Sequence, residues 1–317
     1  MPRVPSGVTG AIITGWGTAL PPKILTNHDL AQTMDTSDDW IRERTGIRER
    51  HVGGTTAGLS IESGRMALEM SGVDPAEIDG LILATTTPDR QVPASAPVVQ
   101  NELGLRCGAF DVNAACSGFM YGLVAAHGMI SMGAKKLLVI GTDTLARITD
   151  WEDRNTAILF ADGSGAVVLE AVEGGGQLLA WDIDADGSAE RFLYAEIGGF
   201  LQMDGKEVFR RAVRIMVDSA QKTLAASGYT ADDLALVVPH QANIRIIEAA
   251  CSRLGVGPDR TATVLQHTGN TSSASIPLAL ADALNHHRVQ RGDLVLLVGF
   301  GAGMTAASAL LRWGGAT

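Results

Sequence analysis

The sequence predicts an α/β fold built from two similar halves that pack around a pseudo-twofold axis. Three observations support this prediction. Apolar strands alternate with helices along the chain, the chain aligns with itself when residue 81 is laid on residue 237, and the helix that begins at Cys116 is apolar or small on every face. Alternating strands and helices are typical of a mostly parallel sheet covered by helices, and a helix that is apolar all round is buried.

The internal repeat gives the predicted order of elements. Each copy has a helix, a Ser-Gly stop, an acidic turn and an apolar strand, which lays Leu81-Ile82-Leu83 on Val237-Val238-Pro239. Further along, KKLLVIGTD aligns with DLVLLVGFG, and AVVLEA aligns with SALLRW. Each half is predicted to end in two strands joined by a glycine-rich turn, DGSG in the first and GAGM in the second. We therefore assign residues 1–172 to an N-terminal half, which carries Cys116, and residues 173–317 to a C-terminal half.

Composition and charge restrict the class of protein. The chain has 317 residues, of which 46% are apolar and 19% charged, and its net charge is −10. This acidic balance argues against a general nucleic-acid binder. Three cysteines without paired spacing predict a cytoplasmic location, no Cys/His cluster has metal-ligand spacing, and no apolar run approaches a membrane span. The N-terminal segment, with Arg3 and a run broken by Gly15 and Gly17, predicts a first strand and no signal peptide.

A lone cysteine stands where a strand ends and a helix begins. The segment GAFDVNAACSGFMYGL predicts a short buried strand from Gly108 to Val112 and places Cys116 in the first turn of the apolar helix. Unpaired N–H groups and the helix dipole favour an anion there. We therefore expect a lowered thiol pKa and a thiolate nucleophile, although most free cysteines are small buried hydrophobes. Cys107 and Cys251 lack this environment and are expected to be inert, and His127 is expected to be a hydrogen-bonded core residue.

The repeat brings two further residues to Cys116. The segment HTGNTSSAS, residues 267–275, holds the place in the second half that Cys116 holds in the first. His240 follows an apolar strand, where α/β sheets bind their ligands. Cys116, His240 and Asn270 are thus predicted to share one pocket, which suggests acyl transfer. A cysteine protease would use the histidine as a base; a condensing enzyme would use the histidine and asparagine to hold an enolate. Burial of the cysteine in a duplicated fold without an open cleft favours the condensing enzyme.

Five segments stand in order along the chain: TSDDWIRERTGIRERHV (36–52), DVNAACSGF (111–119), VVPHQANIRII (237–247), HTGNTSSASIPLAL (267–280) and GFGAGMT (299–305). Together they resemble β-ketoacyl-acyl-carrier-protein synthase III, from about residue 10 to 313. The resemblance implies a thiolase-like duplicated fold with five layers, α-β-α-β-α, and a homodimer. It implies an acyltransferase that initiates fatty acid biosynthesis by decarboxylative Claisen condensation. An acyl-coenzyme A primer and malonyl-acyl-carrier protein would give β-ketoacyl-acyl-carrier protein, coenzyme A and CO₂.

The resemblance also assigns roles at the reaction centre. Cys116 would carry the acyl group as a thioester, and His240 and Asn270 would stabilise the enolate formed when the malonyl group loses CO₂. The oxyanion hole would use the backbone N–H groups of Cys116 and Ala302, each able to contribute on the order of 3 kcal/mol. No metal and no cofactor are implied; acyl-coenzyme A and malonyl-acyl-carrier protein are substrates.

Further matches predict the entrance. Trp40 and Arg154 correspond to the pair that sandwiches the adenine of coenzyme A. Arg44 corresponds to a phosphate-side contact, and Gly205 and Asn243 to pantetheine contacts.

Basic side chains are candidates for docking the acidic carrier protein, because local positive clusters on an acidic protein attract an acidic partner. Arg210 and Arg214 share one face of a predicted helix, and Arg245 and Arg253 lie on the helix after His240. Arginines on helices also often just solvate a face.

Two departures from the family pattern concern the primer. Val92 stands where many members have a phenylalanine that caps the acyl pocket across the dimer, and the segment Asp186 to Met203 is shorter than in well-known members. Both predict a primer beyond acetyl. Alternatives stay open: a priming ketosynthase or an acyltransferase of a polyketide or other secondary-metabolite pathway, an inactive scaffold partner, and a cysteine hydrolase.

Overall fold

The structure, a computed structural model, describes residues 9–315. Arg3, which entered the prediction about the N-terminal segment, lies outside the described residues. The same holds for the outermost residues of the predicted halves 1–172 and 173–317. The predicted first strand is present over Gly10–Ala19.

The first large sheet contains five strands. In chain order these are β1 (Gly10–Ala19), β4 (Gly80–Ala84), β5 (Gly108–Val112), β6 (Lys136–Thr144) and β7 (Asp162–Val172). Their spatial order is β1-β7-β6-β4-β5. The two pairs made by β4, with β5 and with β6, are parallel, whereas β7 is antiparallel to both β6 and β1.

The second large sheet contains four strands and repeats this order. These strands are β8 (Leu178–Ala185), β11 (Leu234–Pro239), β12 (Leu294–Gly301) and β13 (Thr305–Arg312). They are arranged β11-β12-β13-β8. The pair β11 and β12 is parallel, and β13 is antiparallel to both β12 and β8. Two small antiparallel ribbons complete the strands: β2 (Ile24–Thr26) with β3 (Glu49–His51), and β9 (Leu193–Tyr194) with β10 (Gln202–Met203).

The register of the two sheets agrees with the internal sequence repeat. Leu81 pairs with Leu138 in the first sheet, and Val237 pairs with Leu296 in the second. These are the residues that the repeat lays on one another. The predicted duplication is therefore present in strand order, strand direction and register.

The described helices connect and cover the sheets. They are α1 (Asn27–Ala31), α2 (Asp38–Thr45), α3 (Thr56–Ser71), α4 (Ala96–Glu102), α5 (Gly118–Ser131), α6 (Arg154–Ala157), α7 (Gly205–Ser227), α8 (Ile244–Arg253), α9 (Leu265–Thr268) and α10 (Ser275–Asn285). The equivalent helices α3 and α7 both end at a glycine in the left-handed conformation, Gly72 with φ 70° and Gly228 with φ 80°. Glycine adopts this conformation without a Cβ clash, which explains the predicted Ser-Gly stops.

Alternate side chains of the strands enter different cores. Ile82 on β4 joins a central core with α5 and α10, whereas Leu81 and Leu83 join an outer core with α3 and α4. On β12, Val295 and Leu297 join the same central core, whereas Leu294, Leu296 and Val298 join a third core with α7 and α8. Each sheet is thus covered on both faces, and the layers follow the order α-β-α-β-α. The central core takes residues from both sheets, which packs the two halves against one another.

Two predictions of burial are wrong. Strand β5 was expected to be buried, but it is the edge strand of its sheet, and Phe110 is 43% exposed. Helix α5 was expected to be buried on every face, but Ala125 and Gly128 are exposed. Apolar sequence alone does not distinguish a face covered within the chain from one left open. The expectation for His127 is also wrong, because its Nε2 has no hydrogen-bond partner among the described residues.

The connection between the last two strands differs in the two halves. GAGM lies in the short turn between β12 and β13, as expected, but DGSG forms the first residues of β7. Residues 145–161 separate β6 from β7. This longer connection contains Arg154 and also Leu159 and Ala161, whose backbone groups hydrogen-bond to the backbone of Asn270. It therefore supplies part of the candidate site.

Candidate functional site

Cys116, His240 and Asn270 line one cavity of about 1030 Å³. The cysteine comes from the loop between β5 and α5, the histidine follows β11, and the asparagine precedes α10. All three residues are at least nine-tenths buried. The structure thus brings together the three residues that the repeat places at equivalent strand and helix ends.

Cys116 sits in a tight 3₁₀ turn, Ala115–Ser117, that leads directly into α5. Ala115 has φ 49°, a left-handed conformation that costs a non-glycine residue on the order of 1–3 kcal/mol. Its backbone N–H donates to the Asn113 side chain at 3.2 Å, which helps to hold the turn. Gly301 packs so closely that a Cβ there would lie 2.7 Å from the Cys116 nitrogen. The nucleophile is therefore fixed by a strained turn and by a glycine from the second sheet.

The prediction of a lowered pKa for Cys116 is wrong. Burial raises the pKa of the thiol to about 12, and hydrogen bonding to Ser272 offsets only part of that rise. Removing water from around a thiolate costs more than the helix start recovers. Cys116 is therefore a thiol at neutral pH before substrate enters. Burial also raises the pKa values of Cys107 and Cys251, and neither of these cysteines lines the cavity.

His240 is oriented through one ring nitrogen. Its Nδ1 lies 2.6 Å from the Ser275 hydroxyl at the start of α10, and its backbone N–H donates to the Val298 carbonyl at 2.8 Å. The ring packs edge-on against Phe300, with 5.4 Å between the centroids. Burial lowers the pKa of the imidazole to about 3, so the ring is neutral at working pH. With Nδ1 occupied, Nε2 is the ring atom that can meet a substrate.

Asn270 is held by its backbone and by one side of its amide. Its N–H donates to the Leu159 carbonyl and its carbonyl accepts from the Ala161 N–H, each at 2.9 Å. The amide Oδ1 accepts from the Ser272 N–H at 3.0 Å. Because the oxygen is occupied, Nδ2 is the group that Asn270 can offer to a ligand, and Nδ2 is a donor.

Ala302 begins the turn between β12 and β13, next to the Cys116 loop. The Thr305 hydroxyl donates to the Ala114 carbonyl at 2.9 Å and ties this turn to the cysteine. Together with the close approach of Gly301, this contact holds the turn that begins at Ala302 against the loop of Cys116.

The predicted coenzyme A residues gather at the mouth of the cavity. The guanidinium carbons of Arg44 and Arg154 lie 4.5 Å and 4.7 Å from the centroid of the Trp40 ring. Trp40, Arg44, Gly205 and Asn243 line the cavity. The Asn243 amide donates to the Arg44 carbonyl at 3.0 Å, which couples the start of α8 to the end of α2. Arg154 does not line the cavity itself, but it contacts Trp40, which does.

The predicted docking arginines do not form one cluster. Arg245 lines the cavity, and its guanidinium lies 5.7 Å from the Phe209 ring. Arg210 is exposed and bonds to Glu207 at 2.6 Å on its own helix. Arg214 and Arg253 are exposed and lie outside the cavity lining. The structure therefore brings only Arg245 to the candidate site.

Val92 is 82% exposed and does not line the cavity. In this single chain the structure does not bring it to Cys116.

Sequence reasoning missed the partners that orient the site. Ser275 and Ser272 lie in the segment that points to Asn270, and Phe300 lies in GFGAGMT. Their presence in those segments was the available signal, but a sequence does not show which side chain bonds to which. The described residues include no group of three or more His, Cys, Asp or Glu placed to bind a metal. Over the same range, none of the helices is both long and apolar enough to cross a membrane.

Comparison with known proteins decides the family. Two family models match: one described as 3-Oxoacyl-[acyl-carrier-protein (ACP)] synthase III over residues 110–187, and one described as its C terminal over residues 224–313. A Beta-ketoacyl-[acyl-carrier-protein] synthase III of Roseiflexus castenholzii (strain DSM 13941 / HLO8) is 47% identical, covering 96% of this chain and 98% of the relative. The chain belongs to the β-ketoacyl-[acyl-carrier-protein] synthase III family. It has the thiolase fold of that family and is an acyltransferase of the condensing type.

Further relatives agree. Beta-ketoacyl-[acyl-carrier-protein] synthase III 1 of Bacillus anthracis is 46% identical, covering 95% of this chain and 98% of the relative. The crystal structure of 3-oxoacyl-[acyl-carrier-protein] synthase III from Aquifex aeolicus VF5 superposes with a TM-score of 0.94 at 42% identity, covering 96% of this chain and 100% of that one. The priming beta-ketosynthase from the R1128 polyketide biosynthetic pathway superposes with a TM-score of 0.92 at 35% identity, covering 98% of both chains.

Proposed function

We propose that this chain condenses an acyl-coenzyme A primer with malonyl-acyl-carrier protein and so initiates fatty acid biosynthesis. The observation that carries the proposal is the cavity shared by Cys116, His240 and Asn270. Ser275 and Ser272 occupy His240 Nδ1 and Asn270 Oδ1, so His240 Nε2 and Asn270 Nδ2 are available to a substrate. The relatives at 46–47% identity are named as synthases III, and among the solved structures the synthase III from Aquifex aeolicus is 42% identical, against 35% for the priming ketosynthase. This difference favours fatty acid initiation over a secondary-metabolite pathway.

In the first half-reaction the Cys116 sulfur attacks the carbonyl carbon of the acyl thioester. A new carbon–sulfur bond forms, the bond to coenzyme A breaks, and the thiol proton ends on the departing coenzyme A thiol. Since burial raises the pKa of Cys116 to about 12, proton removal accompanies attack rather than preceding it. The product is an acyl-Cys116 thioester, which preserves the energy of the original thioester for the next step.

In the second half-reaction the malonyl thioester loses CO₂ and leaves an enolate. Two neutral donors, His240 Nε2 and Asn270 Nδ2, would bind the enolate oxygen. Because the His240 pKa is lowered to about 3, the ring stabilises the oxygen by hydrogen bonding and does not protonate it. Donors fixed before the reaction stabilise developing charge without reorganising. The enolate carbon then attacks the acyl carbonyl, and the oxyanion accepts from the backbone N–H groups of Cys116 and Ala302. The carbon–sulfur bond breaks, and the departing Cys116 thiolate takes up one proton from solvent, which restores the thiol.

The entrance gives each substrate a binding region. Trp40 and Arg154 would hold the adenine of coenzyme A, Arg44 its phosphates, and Gly205 and Asn243 the pantetheine arm. Arg245 lines the cavity mouth, which supports it as the first contact for the acidic carrier protein. Arg210, Arg214 and Arg253 would guide the carrier protein from a distance by long-range attraction.

A homodimer would use the open edge of the first sheet. Strand β5 has one neighbouring strand among the described residues, and Phe110 on it is 43% exposed. Pairing β5 with its copy would cover an edge that proteins otherwise protect. Val92 would then cap the acyl pocket of the partner, and its small size would admit a primer longer than acetyl.

The remaining assignments follow from the same proposal. The condensation needs no cofactor, since loss of CO₂ drives it. Three free cysteines fit a reducing, cytoplasmic setting. The halves 1–172 and 173–317 would each supply one side of the cavity, the first with the nucleophile and the second with the enolate donors.

The test is intact-protein mass spectrometry after incubation with acyl-coenzyme A thioesters from acetyl to lauroyl, followed by malonyl-acyl-carrier protein. We expect a mass gain that is absent in Cys116→Ser and is discharged with release of CO₂. An adduct that the malonyl donor cannot discharge would indicate an acyltransferase with another acceptor. No adduct with any primer would contradict the proposal and favour the scaffold or hydrolase alternatives.

A further inference from the structure

A fully buried carboxylate, Asp143 on β6, joins two loops that come from opposite halves of the chain. One loop follows β4 in the first sheet. The other is the turn between Asn270 and α10. The mechanism proposed above assigns Asp143 no role. Its side chain is 0% exposed. A buried carboxylate is costly unless its oxygens are fully hydrogen-bonded, so its partners indicate what it holds.

The first carboxylate oxygen, Oδ1, is occupied by the loop after β4. It accepts from the Thr86 N–H at 2.7 Å and from the Thr86 and Thr87 hydroxyls, each at 2.9 Å. The Thr85 hydroxyl lies 3.2 Å away. All these groups donate, so Oδ1 acts only as an acceptor. Its partners all belong to the loop after β4 in the N-terminal half.

The second oxygen, Oδ2, is occupied by the turn that carries Asn270. It accepts from the Ser273 hydroxyl at 2.7 Å and from the Ser273 N–H at 3.1 Å. Gly141, two residues before Asp143, leaves the room for this turn, because a Cβ there would collide with the Ser273 carbonyl. The two oxygens of one carboxylate therefore bind the two halves of the site to each other.

The turn needs an external support because its backbone is strained. Ser272 has φ 51°, a left-handed conformation that non-glycine residues rarely adopt. In that conformation the Ser272 N–H donates to the Asn270 Oδ1, which orients the amide so that Nδ2 is free. Strained residues persist only where the surroundings over-determine them. The bonds from Ser273 to Asp143 supply that constraint one residue further along.

We propose that Asp143 is a positioning residue for decarboxylation: it holds the Ser272–Ser273 turn so that the Asn270 amide presents Nδ2 to the enolate. The inference rests on the proposed function, since it assumes that Asn270 binds the enolate oxygen. Asp143 does not touch the substrate. Its loss should therefore weaken the step that uses Asn270 more than the acylation of Cys116, although the same turn also supplies Ser272 as a hydrogen-bond partner of the Cys116 thiol.

The experiment compares two half-reactions in Asp143→Asn and Ser273→Ala. Asparagine keeps the shape of the carboxylate but turns an NH₂ group against groups that donate. Ser273→Ala removes one hydroxyl and leaves the Ser273 N–H bond intact. Ser219→Ala is the matched control, because Ser219 is equally buried and its hydroxyl bonds to Ser308 in the second sheet. Acylation is followed by intact mass, and decarboxylation by CO₂ release from the malonyl donor.

We expect kcat for decarboxylation to fall by about 10- to 100-fold in Asp143→Asn, as for a misplaced catalytic group, and by less in Ser273→Ala. The KM for the malonyl donor and all rates of Ser219→Ala should stay within about threefold of the parent, and the rate of Cys116 acylation should fall by much less than kcat for decarboxylation. The double variant should lose no more than Asp143→Asn alone, because both changes break one contact.

The outcomes separate this inference from the proposed function. If Asn270→Ala leaves CO₂ release unchanged, the role proposed for Asn270 is wrong. If Asn270→Ala abolishes CO₂ release while Asp143→Asn retains it, only the inference about Asp143 is overturned. An equal loss of both half-reactions would likewise overturn it, since that result indicates general support of the fold. Should Asp143→Asn fail to fold, Ser273→Ala decides alone: selective loss of decarboxylation supports the inference, and parental rates contradict it.

Discussion

Replacing Trp40 by alanine tests the proposed coenzyme A entrance most directly. The ring lies between two guanidinium groups, at 4.5 Å from Arg44 and 4.7 Å from Arg154, and an adenine would stack in this group. Stacking a base on an aromatic ring contributes about 1–3 kcal/mol. Since Trp40 is only half-buried and the Arg154 side chain is 43% exposed, the lower part of that range applies, about 1–2 kcal/mol, or roughly 5- to 30-fold in binding.

The loss should appear in KM and not in kcat, because the adenine is remote from the reacting carbonyl and binds ground state and transition state equally. The assay measures acylation of Cys116 by acetyl-coenzyme A and by acetyl-N-acetylcysteamine, a truncated thioester that has no adenine. We expect Trp40→Ala to raise KM for the first substrate and to leave the second unchanged. Trp313→Ala, which changes a tryptophan outside the cavity lining, should affect neither. Equal losses with both thioesters would refute the reasoning.

Three further predictions concern the nucleophile and the choice of primer. Gly301→Ala would place a Cβ 2.7 Å from the Cys116 nitrogen; we expect acylation to slow by about 100-fold and the free energy of unfolding to fall by about 1–3 kcal/mol, measured by intact mass and by denaturant unfolding. Parental acylation would contradict this. Because burial raises the pKa of Cys116 to about 12, the thiolate fraction, and with it the rate of alkylation by iodoacetamide, should rise about tenfold per pH unit from 7 to 10. A plateau near pH 7 would show a stabilised thiolate instead. Val92→Phe should shift the primer preference toward shorter acyl chains in competition assays, and an unchanged profile would remove Val92 from the acyl pocket.

The meeting of Cys116, His240 and Asn270 was predictable because each residue lies at the end of a strand or the start of a helix in the internal repeat. Cys116 and Asn270 both precede central helices, and His240 follows a strand, so the internal repeat alone places them near one another. The same repeat aligned Leu81 with Val237 and Leu138 with Leu296, and the structure pairs Leu81 with Leu138 and Val237 with Leu296. The five segments shared with the family then supplied roles for these residues that periodicity cannot supply.

The exposure of side chains and the pKa of Cys116 were less predictable, because both depend on which parts of the folded chain pack against each residue. An apolar strand over 108–112 looks the same in sequence whether it lies inside a sheet or at its edge, and the edge position of β5 left Phe110 exposed. The thiol pKa was expected to fall because of the helix start. It rises because the loop of Cys116 is enclosed by the second sheet, and desolvation depends on all neighbours at once.

By itself the sequence determined the duplicated α/β architecture, the order of strands and helices that the two halves share, and the three residues that face the cavity. Local hydrophobic period and chain order carry that information. Only the tertiary structure decided that Ser275 occupies one nitrogen of His240, that Ser272 orients the Asn270 amide, and that Asp143 ties the two halves together. The physical reason is that a hydrogen bond requires a donor and an acceptor within about 3 Å in a defined direction, and residues distant in sequence meet that condition only once the chain has folded.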